Sequence, residues 1–280
     1  MRKAIILLGL LFLSSGIALG ADCTYQCVEP YDTSSKLRTI LSNVTGMNYT
    51  RRKISEAVLK KTLSSSVKEG KLKVNIGSFS GNDLAKGIFK SLTISGKNLN
   101  INDIQVSDLE IKTLCEFNYI KYDRKGNLEF KEDFPMSFRF QMSEDDLNKT
   151  MQSEKYQNAL NKVNRFAFAG LKVSSTQASI RGNKFYYTLY IDVPFSKQQK
   201  IELTADLKVT DGKINLKNTR LTSNSKTADL KKVDSLMKHI NPLDFSVNIF
   251  DNKDAKISVK NVAIKNNIII ADGIIIIPKD

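Results

Sequence analysis

A single histidine, His239, is present in 280 residues, and its isolation removes most hydrolytic chemistry. A Ser-His-Asp arrangement would have to be built on that one imidazole, and the chain has no G-x-S-x-G, no H-E-x-x-H and no Walker or Rossmann glycine pattern. His239 precedes Pro242 at the end of a predicted helix, where a surface or capping role is expected. Cysteine is nearly as scarce. Three Cys and one His, scattered along the chain, match none of the usual zinc spacings, so neither a metal nor a cofactor is expected. A dense basic block is also missing. The net charge of +14 comes mostly from dispersed lysines, which argues against nucleic acid. It reflects either a Lys/Asn/Ile compositional bias or attraction to an anionic membrane surface. Apolar runs long enough to cross a bilayer are lacking too. The Ile-rich run Ile268–Ile277 is short and contains Asp272-Gly273, so it reads as a buried strand.

What is present begins with a leader. Arg2 and Lys3 precede the apolar run Ala4–Leu13, followed by small residues and Ala18-Leu19-Gly20, the order of a secretory signal. Residues 1–20 are expected to be removed near Gly20/Ala21, leaving a secreted, periplasmic or cell-envelope protein. Asp22 before Cys23 departs from a lipobox, so lipidation is not expected. Cys23 and Cys27 are close enough in sequence to pair in an oxidising compartment, which would leave Cys115 free. Residues 21–35 read as an irregular leader, and 36–280 as one domain.

The least ambiguous stretch is residues 138–163. Phe138, Phe140 and Met142 alternate with polar residues as in a half-buried strand, and at Ser143 the period becomes helical. Ser143 is a good N-cap, with Glu144, Asp145 and Asp146 on the first turn. Leu147, Met151, Ala159, Leu160 and Val163 form one apolar stripe, which predicts a single long amphipathic helix. Upstream, helices are predicted over 36–44 and 51–68, the second carrying Ile54, Val58, Leu59, Leu63 and Val67 and ended by Gly70. A strand follows over 71–78, then a brief helix capped by Ser80 and carrying Leu84, Ile88 and Phe89. Strands are expected at 92–94, 99–104, 106–122 and 128–130, with Gly96-Lys97 and Gly126-Asn127 as turns. Beyond the central helix come strands 166–180, 184–193, 201–209 and 214–221, with hairpins at Gly182-Asn183 and Asp211-Gly212. A helix over 229–240 and strands over 245–249, 255–262 and 268–277 complete the chain. Strands in long meanders, without regular strand–helix alternation, imply an antiparallel α+β fold. Such a sheet must stack or curl, and the long central helix is the element to curl around.

The segment Asn82–Ile88 leading into Leu92-Thr93-Ile94, the strand Ile101–Ile111 and the junction Met142–Asn148 together resemble the LmeA family of phospholipid-binding envelope proteins, from about Thr39 onward. The resemblance implies a tubular lipid-binding (TULIP, BPI-like) fold, in which a curved antiparallel sheet wraps a long helix beside an apolar groove. It also implies a phospholipid or other acyl-chain lipid as partner and no enzymatic activity. Groove positions are sought on inner faces, at Leu84, Ile88, Phe89, Leu147, Met151, Leu160, Phe166 and Phe168. Two other readings stay open: a structural or adhesive envelope protein without a ligand, and a secreted hydrolase.

Overall fold

The computed structural model describes residues 27–28, 47–64, 67–122, 128–166, 172–192, 195, 197–222, 240–243 and 255–280. The predicted signal peptide, Cys23, the helix over 36–44, the helix over 229–240 except Ile240, His239, Phe168 and the strand over 245–249 lie outside the described residues. Every strand pair among the described residues is antiparallel, and the α+β class follows. Strands β1 (Val67–Gly77), β3 (Ser91–Ile101), β4 (Ile104–Thr113), β7 (Phe134–Met142), β12 (Lys256–Lys265) and β13 (Ile268–Ile277) form a six-stranded sheet. Its order is β1-β3-β4-β7-β13-β12. Strands β8 (Lys172–Arg181), β9 (Lys184–Asp192), β10 (Gln199–Thr210) and β11 (Lys213–Leu221) form a second sheet. A third, small sheet joins β2 (Ile88–Phe89), β5 (Asn118–Tyr122) and β6 (Leu128–Phe130).

Two-residue turns set these registers. Asn102-Asp103, Gly182-Asn183, Asp211-Gly212 and Asn266-Asn267 all have φ between 50° and 75° at both positions, the primed geometry whose twist matches that of the flanking strands. Two of the four were expected. Gly96-Lys97 is not a turn: it lies inside β3, where Gly96 pairs with Leu72 and Leu109. A Cβ on Gly96 would lie 2.8 Å from the Leu99 side chain, so the glycine answers to packing rather than to chain reversal. Gly70 likewise does not end a helix. Helix α1 (Met47–Ser64) stops earlier, and Gly70, with φ +94°, sits in a bulge of β1 beside Glu69. Ile88 and Phe89 form a strand rather than extending α2 (Gly81–Ala85), and the expected strand 106–122 divides at the bend 114–116.

The central helix is two helices. Ser143 and Asp146 make a capping box: the Asp146 amide donates to Ser143 Oγ at 3.2 Å and the Ser143 amide to Asp146 Oδ2 at 2.8 Å. The first helix, α3 (Glu144–Gln152), ends at Ser153, which is extended at φ −63°, ψ 149°. Helix α4 (Glu154–Phe166) restarts at once, with the Tyr156 amide donating to Ser153 Oγ at 3.3 Å. Among the described residues no long amphipathic rod is enclosed by sheet. Instead α3 bolts the two large sheets together. Asn148 both accepts from the Ala178 amide and donates to its carbonyl, while Glu144 accepts from the Ile180 amide, so α3 satisfies the open edge of β8. From its other side Thr150 accepts from the Gln105 amide and Asp146 from the Ser107 hydroxyl of β4. A second joint lies at β12, where the Val259 amide donates to the Gly212 carbonyl at 2.9 Å. One contiguous core draws on both large sheets.

Candidate functional site

Helix α1 packs along β1, the outer strand of the six-stranded sheet. An outer strand leaves backbone amides unpaired, and Glu56, buried at 7% exposure, accepts from one of them, Ile76, at 3.1 Å. Burial alone would raise the Glu56 pKa. The Lys53 hydrogen bond at 2.8 Å, the Ile76 amide and the charges of Lys53 and Arg52 outweigh it and hold the carboxyl below its ordinary value. Arg51 fastens α1 to α2, donating to the Gly81 carbonyl at 2.9 Å and to Asn82 Oδ1 at 2.7 Å. Helix α2 is capped by Ser80, whose Oγ accepts from the Asp83 amide. It leads through Gly87, at φ +85°, into the small sheet. A Cβ on Gly87 would lie 1.9 Å from the Ile120 carbonyl oxygen, and the Ile120 amide donates to Gly87 at 2.9 Å, so only glycine lets β5 approach this closely. Asn118 fixes the start of β5 by donating to the carbonyls of Cys115 and Lys90.

These elements do not close on each other. Between α1, α2, β1 and the small sheet is a cavity of about 810 Å³, within the range of about 300–1,000 Å³ typical of small-molecule sites. Its inner wall is apolar: Leu59, Ile76, Leu84, Phe89, Leu92 and Leu128. Ile54 and Val58 of α1 also line it while remaining 58% and 48% exposed, which puts them at the rim. Among the described residues the wall includes two charged ones, Lys86 and Lys121, and no carboxylate. Lys121 Nζ lies 4.9 Å from the centre of the Tyr119 ring.

Cys115 sits in the bend before β5 and is bonded to Cys27, with a Cα–Cα separation of 5.4 Å across 88 residues. The Cys23–Cys27 pairing that the sequence left possible is thereby corrected. A bridge closing so short a loop is hard to form without strain, whereas the bend held by Asn118 offers Cys115 as a fixed partner.

Of the eight groove positions sought from sequence, Leu84 and Phe89 line this cavity. Ile88 is buried beside them in β2. Leu147, Met151 and Leu160 are at most 2% exposed and belong to the closed core on α3 and α4. Phe166 is the last residue of α4 rather than part of a strand. The wall contributed by α1 and by the β5–β6 hairpin was not anticipated. Ile54, Val58 and Leu59 do stand out as a helical apolar stripe, but nothing in the stripe distinguishes a rim from a core.

A second buried feature is polar. Tyr156 and Tyr187 hydroxyls lie 2.6 Å apart, both reach the Ile240 carbonyl, and Thr176 donates to Tyr156 at 3.3 Å. Burial pushes Tyr156 up to about 12 and Tyr187 well above its ordinary value, so both stay protonated donors. Through Ile240 they anchor the segment 240–243. Among the described residues no group of His, Cys, Asp and Glu is placed to hold a metal ion, and no helix is long and apolar enough to cross a membrane.

Residues 52–273 match the LmeA-like phospholipid-binding family, and the chain belongs to it. The match runs from α1 through β13 and so takes in every element that walls the cavity. No curated protein and no solved structure matches the chain.

Proposed function

From membership in a phospholipid-binding family we propose that this protein is a non-catalytic lipid carrier that holds phospholipid acyl chains in the cavity between α1 and the small sheet. The observation that carries the reading is the cavity itself: about 810 Å³, apolar inside and, among the described residues, bearing lysines and no carboxylate. Each methylene moved from water into such a wall contributes about 0.8 kcal/mol, so an acyl chain is retained without special chemistry. Lys86 and Lys121 suit the phosphate of the headgroup. The Cys27–Cys115 bridge supports an oxidising compartment, and with the leader it favours a secreted or periplasmic protein serving lipid transport or maintenance in the envelope. The net charge of +14 supports contact with an anionic membrane surface. The cavity also favours this reading over a ligand-free structural role, and nothing in the site supports hydrolysis.

Native mass spectrometry after lipid extraction and re-addition tests it. The protein should take up phospholipid. Ala85→Trp, at an exposed position of the cavity wall, should lower occupancy with little change in Tm. A protein that stays lipid-free under all conditions would return the ligand-free reading to first place. A non-reducing peptide map of protein recovered from the envelope should join Cys27 to Cys115.

A further inference from the structure

Helix α1 has two faces of different character. Its inner residues Glu56 and Leu63 are buried, at 7% and 0% exposure, and Leu59 packs partly on the core. Its outer face presents Tyr49, Ile54 and Val58, exposed by 62%, 58% and 48%, interleaved with exposed Lys53, Lys60 and Lys61. The helix carries Arg51, Arg52, Lys53, Lys60 and Lys61 against one carboxylate, Glu56, and that carboxylate is turned inward onto the Ile76 amide. The outward charge is therefore entirely positive. Ile54 and Val58 belong at the same time to the cavity wall, so the outer face runs without interruption into the cavity mouth.

Apolar and cationic side chains mixed on one helical face suit the boundary between headgroups and acyl chains, where apolar groups enter the bilayer and cations meet phosphate. An acidic protein surface would complement the lysines. It would not account for exposed apolar side chains that continue into an apolar cavity. We infer that the outer face of α1 is a docking surface for an anionic lipid bilayer, setting the cavity mouth at headgroup level so that lipid passes between membrane and cavity without crossing water. This rests on the lipid-binding reading above and adds to it the surface through which lipid enters.

The test uses the full mature chain and co-sedimentation with vesicles of phosphatidylcholine, with and without phosphatidylglycerol. The unaltered protein should prefer the anionic vesicles. Reversing Lys60 and Lys61 together (Lys60→Glu, Lys61→Glu) should weaken that association by about tenfold or more, since each basic residue at an anionic surface counts for several-fold. Reversing Lys256 and Lys260 on β12, both exposed, makes the same change in net charge and should cost much less. Uptake of monomeric lysophospholipid, which needs no membrane, should be unchanged in all three proteins. Equal loss in the two reversed proteins, or none in either, would overturn the assignment of α1. Failure of lysophospholipid uptake in the unaltered protein, with vesicle binding intact, would instead remove the carrier reading and leave the docking surface standing. Should the double reversal disturb folding, seen as lost ellipticity, Lys60→Gln with Lys61→Gln should still give a several-fold loss, and its absence would count against α1.

Discussion

Two regions of this molecule use similar side chains to opposite ends. Around α3 and α4, Leu147, Met151, Tyr156 and Leu160 are at most 2% exposed, and polar groups beside them are paired: Asn148 with Ala178, Thr150 with Gln105, the tyrosine pair with Ile240. Around α1 the apolar residues are as numerous, but Leu59, Leu84, Phe89 and Leu128 look onto empty space. The difference comes from what fastens the helices. Helix α3 is tied on one flank to β8, the edge strand of its sheet, and on the other to β4 inside the six-stranded sheet. Helix α1 is fastened to β1 by Glu56 and to α2 by Arg51, and the cavity opens along its flank at Ile54 and Val58. A well-packed region supplies stability, and a region left ajar supplies volume for a guest.

The sharpest way to break this comparison is a matched pair of truncations. Leu147→Ala should cost about 2–5 kcal/mol in chemical denaturation because it opens a new void in a closed core. Leu84→Ala enlarges a space that already exists and should cost well under half as much. Equal losses would mean that the cavity is packed shut in solution. A pair of enlargements comes next in size. Met151→Trp should lower stability by about 1–3 kcal/mol through overpacking and leave lipid occupancy alone. Ala85→Trp should do the reverse. If Met151→Trp abolished lipid binding at unchanged Tm, the guest would lie along α3 and not beside α1.

The smallest effect concerns the fastening of α1. The Glu56 carboxyl is held below its ordinary value of 4.5, so it stays ionised to lower pH when folded than when unfolded. Its contribution to stability is therefore complete above about pH 4.5 and is lost as pH falls through the lower folded value. Glu56→Gln should cost about 1 kcal/mol at neutral pH, the scale of a buried hydrogen bond, and should flatten the acid limb of the stability curve. An unchanged acid limb would place the weight of the α1 fastening on Arg51.

Much of the scaffold was legible because its determinants are local. The alternation at Phe138–Met142, the Ser143 cap and the turns Gly182-Asn183 and Asp211-Gly212 each need only a few adjacent residues. The break at Ser153 was missed although a signal exists: the buried positions step by four from Leu147 to Met151, by five to Tyr156 and by four again to Leu160. That one-residue slip of phase, together with a Ser-Glu cap, marks a restart. Of the candidate site, only the α2–β2 wall was named in advance. Ile54 and Val58 share a periodicity with Leu63, and whether such a residue is core or rim depends on the distant β5–β6 hairpin. The partner of Cys27 lies 88 residues away, and no local rule reaches that far.

Strand β13 lies between β7 and β12 and pairs residue by residue from Ile269↔Met142 to Ile277↔Phe134. Beyond it the Asp280 amide donates to the Phe130 carbonyl and the Lys279 amide to Asp133. On the ribosome, β7 therefore emerges with one long edge bare, displaying Phe134, Met136, Phe138, Phe140 and Met142 on its buried face. Its partner is more than a hundred residues behind, or on the order of ten seconds at ordinary synthesis rates. A protein that must finish folding inside the cell would find that interval hazardous, because a bare apolar edge recruits other chains. Export of the unfolded chain, as proposed above, would turn the same delay to use: the sheet would stay incomplete until the far side is reached.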